Sequence, residues 1–194
     1  SFTDDLKHAD TANLFSAFLG GIIFNAANIL FSAAIAIAGM AVAFPVAIGL
    51  ALVLGVIINY AASQKGDPAY LFAGVALVAI AIIINAIAYK RSDSSKQKAS
   101  AKGIVISLVA GVLMSFFYRF IAVSMDLENF TVPAAGKLTP YTAVFIFSIG
   151  IFLSNFVFNT ILMKKPFAGN PVSYAEYFKG KFATHLVGIF GGLI

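Results

Sequence analysis

Two kinds of side chain in this chain can hold a polar solute inside an apolar protein: carboxamides repeated along single helix faces, and one arginine. Gly21, Asn25, Asn28 and Ser32 recur at steps of four, three and four, so a helix would carry both amides on one small-residue face. Ser148, Asn155 and Asn159 repeat the arrangement at steps of seven and four. Each carboxamide both donates and accepts hydrogen bonds. Such a face either bonds a neighbouring helix, worth about 0.6 kcal/mol, or touches a solute, and the pattern leaves both open. Gly103, Ser107, Gly111, Ser115 and Arg119 are all spaced by four. The small residues permit close helix approach, while the planar guanidinium of Arg119 suits a carboxylate, a carbonyl or an imide-like edge. Its alternative is to snorkel to the interface, with Tyr118 beside it as interface anchor or as pocket wall.

Gly55 with Asn59, and Ala81 with Asn85, sit nearer helix ends and read as packing or capping pairs. Other chemistry is sparse. There is no HExxH, Gly-x-Ser-x-Gly or Walker A sequence, and Gly20-Gly21 has no strand before it to make a phosphate cradle. No cysteine and only two histidines, His8 and His185, leave no thiolate or histidine metal cluster. The expectation is a protein that is not an enzyme and carries no cofactor.

The elements that position these residues are long and apolar. Hydrophobic residues make up 60% of the 194, charged ones 11%, and mean hydropathy is +0.94, far from an ordinary soluble domain. Spans of about 20 residues, long enough to cross a hydrocarbon core of about 30 Å, are expected at 11–38, 41–62, 69–89, 103–125 and 140–163. A sixth starts near Lys181 and runs to the last residue. The expected fold is therefore an all-α membrane protein, a helical bundle. Ser1 to Asp10 reads as a loop entering the first helix, Gly39-Met40 as a tight turn, and Pro45 as a proline that loosens the first turns of the second span. Arg119 lies about 9 Å inside the fourth span, at 1.5 Å per residue. The chain starts Ser1-Phe2 and ends within an apolar run, which is read as an internal fragment.

Alternate loops differ in charge. Lys90, Arg91, Lys96, Lys98, Lys102, Lys164, Lys165, Lys179 and Lys181 fall on one side, and Lys7, Lys65 and Lys137 on the other. The positive-inside rule makes the first side cytoplasmic, so residue 1 is expected outside and the basic loop 91–102 inside. This topology accounts for the net charge of +5 without a nucleic-acid partner. All eight acids lie in loops or at interfaces. A proton-coupled carrier usually needs a titratable group in its path; no Asp or Glu falls inside a span, and His185, early in the sixth, is the one imidazole near the membrane.

The near-loopless Ala38-Gly39-Met40 junction, the stretches Gly20-Gly21-Ile22-Ile23-Phe24-Asn25-Ala26-Ala27-Asn28, Phe44-Pro45-Val46-Ala47-Ile48-Gly49-Leu50-Ala51-Leu52-Val53-Leu54-Gly55 and Phe116-Phe117-Tyr118-Arg119-Phe120, and the basic central loop together resemble the drug/metabolite transporter superfamily. The resemblance is to its ureide permease and glucose/ribose and rhamnose porter branch. It implies ten helices in two inverted five-helix repeats, with the solute between the halves. On that map residues 1–90 hold three helices ending the first repeat, 91–102 form the basic cytoplasmic loop, and 103–194 hold two helices and a truncated third of the second. The central loop is short and lacks the nucleotide-binding motif of plant ureide permeases.

The resulting expectation is a secondary transporter moving a sugar, nucleobase or ureide by alternating access, with a non-transporting scaffold as the competing class. Asn25, Asn28, Tyr118, Arg119, Asn155 and Asn159 are the expected solute contacts. The lipid bilayer of a plasma or bacterial inner membrane and a small polar solute are the expected partners, with a homodimer admitted.

Overall fold

The computed structural model describes residues 2–91 and 100–193. Most of the basic loop expected at 91–102 therefore lies outside the described residues. The remainder is helical: α1 (Phe2–His8), α2 (Thr11–Ala38), α3 (Met40–Ser63), α4 (Pro68–Arg91), α5 (Ala101–Ser124), α6 (Pro140–Lys164), α7 (Tyr174–Phe178) and α8 (Phe182–Leu193). No strand occurs among the described residues, which contain only the isolated bridges Ala9–Gly136 and Met125–Leu138. Five helices, α2 to α6, are long and apolar enough to cross a membrane. The chain is an all-α integral membrane protein. The span limits fall within two residues of those expected, because solvent change from lipid to water is written directly into composition.

The segment expected to be a loop entering the first helix is itself helical, and a short helix stands in the basic stretch after α6. In α1, Asp4 and Asp5 occupy the first turn and Lys7 and His8 the last, each charge complementing the helix dipole. In the basic stretch after α6, Ser173 and Glu176 form a reciprocal capping box that starts α7.

Residues 1–155 form one compact unit and residues 156–194 another, α6 passing through both. In the first unit α5 is the shared support, with α2 and α3 packed on it and α4 packed on α3. It thus takes helices from both sides of the basic loop. Glycine sets the spacing. A Cβ on Gly21 would overlap the Phe147 carbonyl oxygen of α6, and one on Gly150 would overlap the Phe18 carbonyl oxygen of α2. A Cβ on Gly103 would stand 2.6 Å from that of Ala38, and one on Gly111 2.6 Å from the Ala47 carbonyl oxygen. The small-residue row of α5 therefore seats the end of α2 and the first half of α3. Gly39, at φ +81°, turns the chain between those two helices without a loop. The helix of α3 continues through Pro45.

The end of this unit near Asp10 is closed by hydrogen bonds. Gly136 accepts from the Asp10 backbone N–H at 2.9 Å and from the Asn13 amide at 2.8 Å. Lys137 donates to the Val123 carbonyl at 2.6 Å, and Asp5 accepts from the Thr139 backbone N–H and hydroxyl at 3.1 and 2.7 Å. Burial raises the Asp5 pKa, but hydrogen bonds from Thr142 and Thr139 outweigh it and hold the carboxyl below its ordinary range. Lys65 reaches Glu128 at 3.5 Å. Lys7, Lys65 and Lys137 thus belong to segments gathered at one end of the bundle, as their alternation along the chain requires.

In the second unit Val172 N–H bonds the Met163 carbonyl at 2.9 Å, and the hydroxyls of Thr160 and Tyr174 are paired. His185 stacks edge-on against Tyr177 at 5.0 Å, its Nε2 buried without a hydrogen-bond partner.

If α2 is held against α6 by absence of a side chain, Gly21→Ala should destabilise the protein by about 1–3 kcal/mol, the usual cost of overpacking. Gly74→Ala, with no atom within 4 Å of the new methyl, should stay within about 0.5 kcal/mol of the parent. Unfolding of the two variants in the same detergent measures the difference.

Candidate functional site

One concavity of the first unit lies between α2, α3, α4 and α5, with a volume of about 560 Å³; another, of about 680 Å³, lies between α3 and α4 and is lined almost wholly by aliphatic side chains with Phe44 and Asn85. Both lie within the ~300–1,000 Å³ of small-molecule sites. The floor of the first is Phe24, Ile48, Met114 and Phe117, and its mouth is Ser63 and Lys65 at the end of α3. Ile48 to Ser63 is 15 residues, or about 22 Å of helix. The cavity therefore descends from the end carrying Lys65 to the middle of the spans.

Why it opens there follows from the residues along α5. At Gly111 the backbones of α3 and α5 nearly touch, while at Gly55 the nearest atom to an added Cβ is the Ser115 carbonyl oxygen, 4.0 Å away. Beyond Gly111 the row continues as buried Ser115, and Met114, Phe117 and Tyr118 to either side of it supply the rest of the α5 wall. Phe24 and Phe117 meet edge-on at 4.9 Å, and Phe147 backs Phe24 at 5.4 Å. On the opposite wall Tyr60 stacks edge-on against Phe72 at 5.5 Å.

Polar groups in the lining are few and neutral apart from Lys65. Asn59 donates one amide proton to the Gly55 carbonyl at 2.7 Å, which leaves a second proton and Oδ1 for another partner. Ser115 donates to the Val112 carbonyl at 2.6 Å and keeps its acceptor lone pairs. The hydroxyls of Tyr60, Tyr118 and, at the mouth, Ser63 complete the set. A carboxamide edge among aromatic faces can pair with another amide-like edge on a flat molecule.

The expected solute contacts separate. Tyr118 lines the cavity. Asn25 is 6% exposed and donates to the Ser154 hydroxyl at 2.9 Å and the Ile151 carbonyl at 3.3 Å, fastening α2 to α6. Asn28 donates to the Phe24 carbonyl one turn earlier, at 2.9 Å. Arg119 is half-buried, has no hydrogen-bond or ion-pair partner among the described residues, and does not line this cavity. Asn155 and Asn159 are exposed on α6, one in each compact unit. Asn59 and Ser115 do line the cavity; the sequence singles out the first, four after Gly55, as a packing or capping residue and the second as one of the small residues of the α5 row, neither as a solute contact.

The mouth is bordered by a loop that a carboxylate organises. Asp126 accepts backbone N–H bonds from Glu128 at 3.0 Å, Asn129 at 3.2 Å and Ala134 at 3.0 Å. The Glu128 and Ala134 bonds in particular hold the Asp126 pKa below its ordinary value. No metal-binding cluster occurs among the described residues.

A lowered folded-state pKa stabilises the native loop at every pH above the ordinary carboxylate value, an advantage lost as pH falls through the lowered value. Amide exchange at Glu128, Asn129 and Ala134 should accordingly accelerate in Asp126→Ala at neutral pH, while Lys65 and Leu71 amides keep the parental rate.

No family model matches the chain, and no solved structure does. It is similar to three Arabidopsis thaliana proteins. Ureide permease 3 is 24% identical, ureide permease 2 is 22% and ureide permease 4 is 23%, each over 99% of this chain. The chain spans 64–65% of the length of these relatives. The alignments run to 224, 255 and 262 residues against the 194 here, so they include residues of the relatives with no counterpart in this chain. The similarity is to a family of permeases and extends through every span.

Proposed function

We propose that the chain is part of a secondary transporter for a small, flat, polar solute of the ureide or nucleobase type. The observation that carries the reading is the cavity itself, with aromatic walls, a free carboxamide edge on Asn59, and a path from one end of the bundle to mid-span. A urea-derived ring offers N–H and C=O groups in one plane, matching the donor and acceptor of Asn59 while its faces lie on Phe24, Tyr60, Phe117 or Tyr118. The names of the three relatives agree with that solute class, and none is named for a sugar.

In this reading Asn59, Ser115, Tyr60 and Tyr118 contact the solute. Asn25 positions the site by holding α2, and with it Phe24, against α6. Arg119, one residue from Tyr118 and without a partner among the described residues, is available to a solute edge when α5 rotates. Asn28, Asn155 and Asn159 remain in the proposal as polar groups within spans. Alternating access, two inverted five-helix repeats divided at 91–102, an outside amino end and a cytoplasmic basic loop complete it, the last two resting on the asymmetry of Lys and Arg. A scaffold without transport draws support from Asn25, whose amide is spent on helix packing.

Uptake of radiolabelled ureides and nucleobases into proteoliposomes tests the proposal. Asn59→Ala should reduce uptake at low solute concentration about tenfold, the scale of one hydrogen bond lost from a buried polar site. Tyr118→Phe, which keeps the ring, should reduce it less than Tyr118→Ala. Parental protein that unfolds cooperatively yet takes up no member of either class would leave the scaffold as the better reading.

A further inference from the structure

Of the residues that line the cavity, Lys65 alone is charged. It sits in the α3–α4 turn, held from the other side of the mouth by the Leu127 carbonyl at 3.5 Å and the Glu128 carboxylate at 3.5 Å. Both contacts are long. The two side chains are 50% and 83% exposed, and an ion pair so open to water is weak. Lys65 is therefore not committed to Glu128. Its flexible four-carbon stem and rotatable ammonium let the charge swing between the carboxylate at the rim and an acceptor lower in the cavity.

Position makes the charge consequential. Nothing else in the lining opposes it, and the wall beneath is aromatic and aliphatic, a setting that focuses the field of a single cation into a cleft. Asp126 fixes the loop that presents Leu127 and Glu128 through three backbone bonds. Glu128 is thus held at the rim as a competitor for the ammonium, not as a group able to follow it inward.

We propose that Lys65 is the residue by which this cavity discriminates solutes by charge, favouring a ureide that carries an anionic group over a neutral one of similar size, with Glu128 tempering the preference. The inference rests on the cavity being the solute site. It extends that reading by assigning charge selection to the rim and shape selection to the aromatic floor. An anionic solute displaces Glu128 from Lys65, and a neutral one leaves the pair in place. The two residues consequently act in opposite directions on the same quantity, which a purely structural link between turn and loop would not do.

The test compares hydantoin, a neutral cyclic ureide, with hydantoate, its ring-opened carboxylate, as ligands of the full chain in lipid nanodiscs at neutral pH. The quantity read is the ratio of their dissociation constants. Lys65→Gln should cut the preference for hydantoate by about threefold to tenfold, the range expected for one partly screened charge near a ligand. Lys65→Arg should retain it, and Glu128→Gln should raise it, with hydantoin affinity little changed in all three. In the parent, the preference should shrink between about 0.1 M and about 1 M salt, where the Debye length falls from about 10 Å to about 3 Å. An unchanged ratio in Lys65→Gln, with hydantoin still bound, would overturn the assignment and leave the cavity reading intact. So would a shift in the same direction in Lys65→Gln and Glu128→Gln. Failure of the parent to bind either probe would overturn the cavity reading instead, and this inference with it.

Discussion

Backbone-to-backbone contact at a few glycines is the constraint on which the rest of the first unit depends. Within lipid, apolar surface gains little from meeting other apolar surface, so helices associate through close packing and hydrogen bonds. Gly21 and Gly150 admit the Phe147 and Phe18 carbonyls, and Gly103 and Gly111 admit Ala38 and the Ala47 carbonyl. These contacts fix α2 on α6 and seat α3 on α5. Beyond Gly111 no glycine contact this close holds the half of α3 that ends at Ser63 against α5. The cavity is the space left beyond the last close glycine contact, lined on α5 by Ser115 together with Met114, Phe117 and Tyr118.

Hydrogen bonding in the spans obeys a second rule of the same solvent, that polar groups need partners. Most find them one turn back on their own helix. Asn28 donates to Phe24, Asn59 to Gly55, Asn85 to Ala81, Ser107 to Gly103 and Ser148 to Val144. Others cross between spans: Asn25 donates to Ser154 and the Ile151 carbonyl, and Ser16 to the Phe120 carbonyl at 2.7 Å. A self-bonded amide still has a proton and an oxygen to offer, so a polar face is compatible with lipid, with packing or with solute. Its surroundings decide among them.

That ambiguity explains what was legible in the sequence. Span limits were legible because hydropathy changes sharply at the water boundary, and Gly20-Gly21 was legible as a packing site because small residues have few other uses in a membrane helix. The capping box Ser173 to Glu176 was present as a pattern but masked by the surrounding lysines and aromatics. The site was only partly legible. Helical periodicity places Asn25 and Asn28 on a shared face, yet one turn of offset is enough to bury the first against Ser154 and bond the second to its own backbone. Conversely, Asn59 sits near a helix end and reads as a cap, and only the packing of α3 against α5 shows that it lines a cavity.

Gly55 is where the tight and open halves of the α3–α5 pair differ most in consequence. A large side chain there would prop the helices apart permanently. With none, and with even an added Cβ standing 4.0 Å from the Ser115 carbonyl oxygen, nothing at Gly55 blocks the closer approach seen at Gly111. The fixed point for such a closure is the Gly111 contact, where loosening would forfeit the close packing of the two backbones. Movement of the half of α3 that ends at Ser63 would carry Asn59, Tyr60 and Lys65 together toward Ser115 and Tyr118, the aromatic and polar groups of the two walls converging on whatever lies between. The glycine spacing that holds the bundle together thus also determines which of its parts can move.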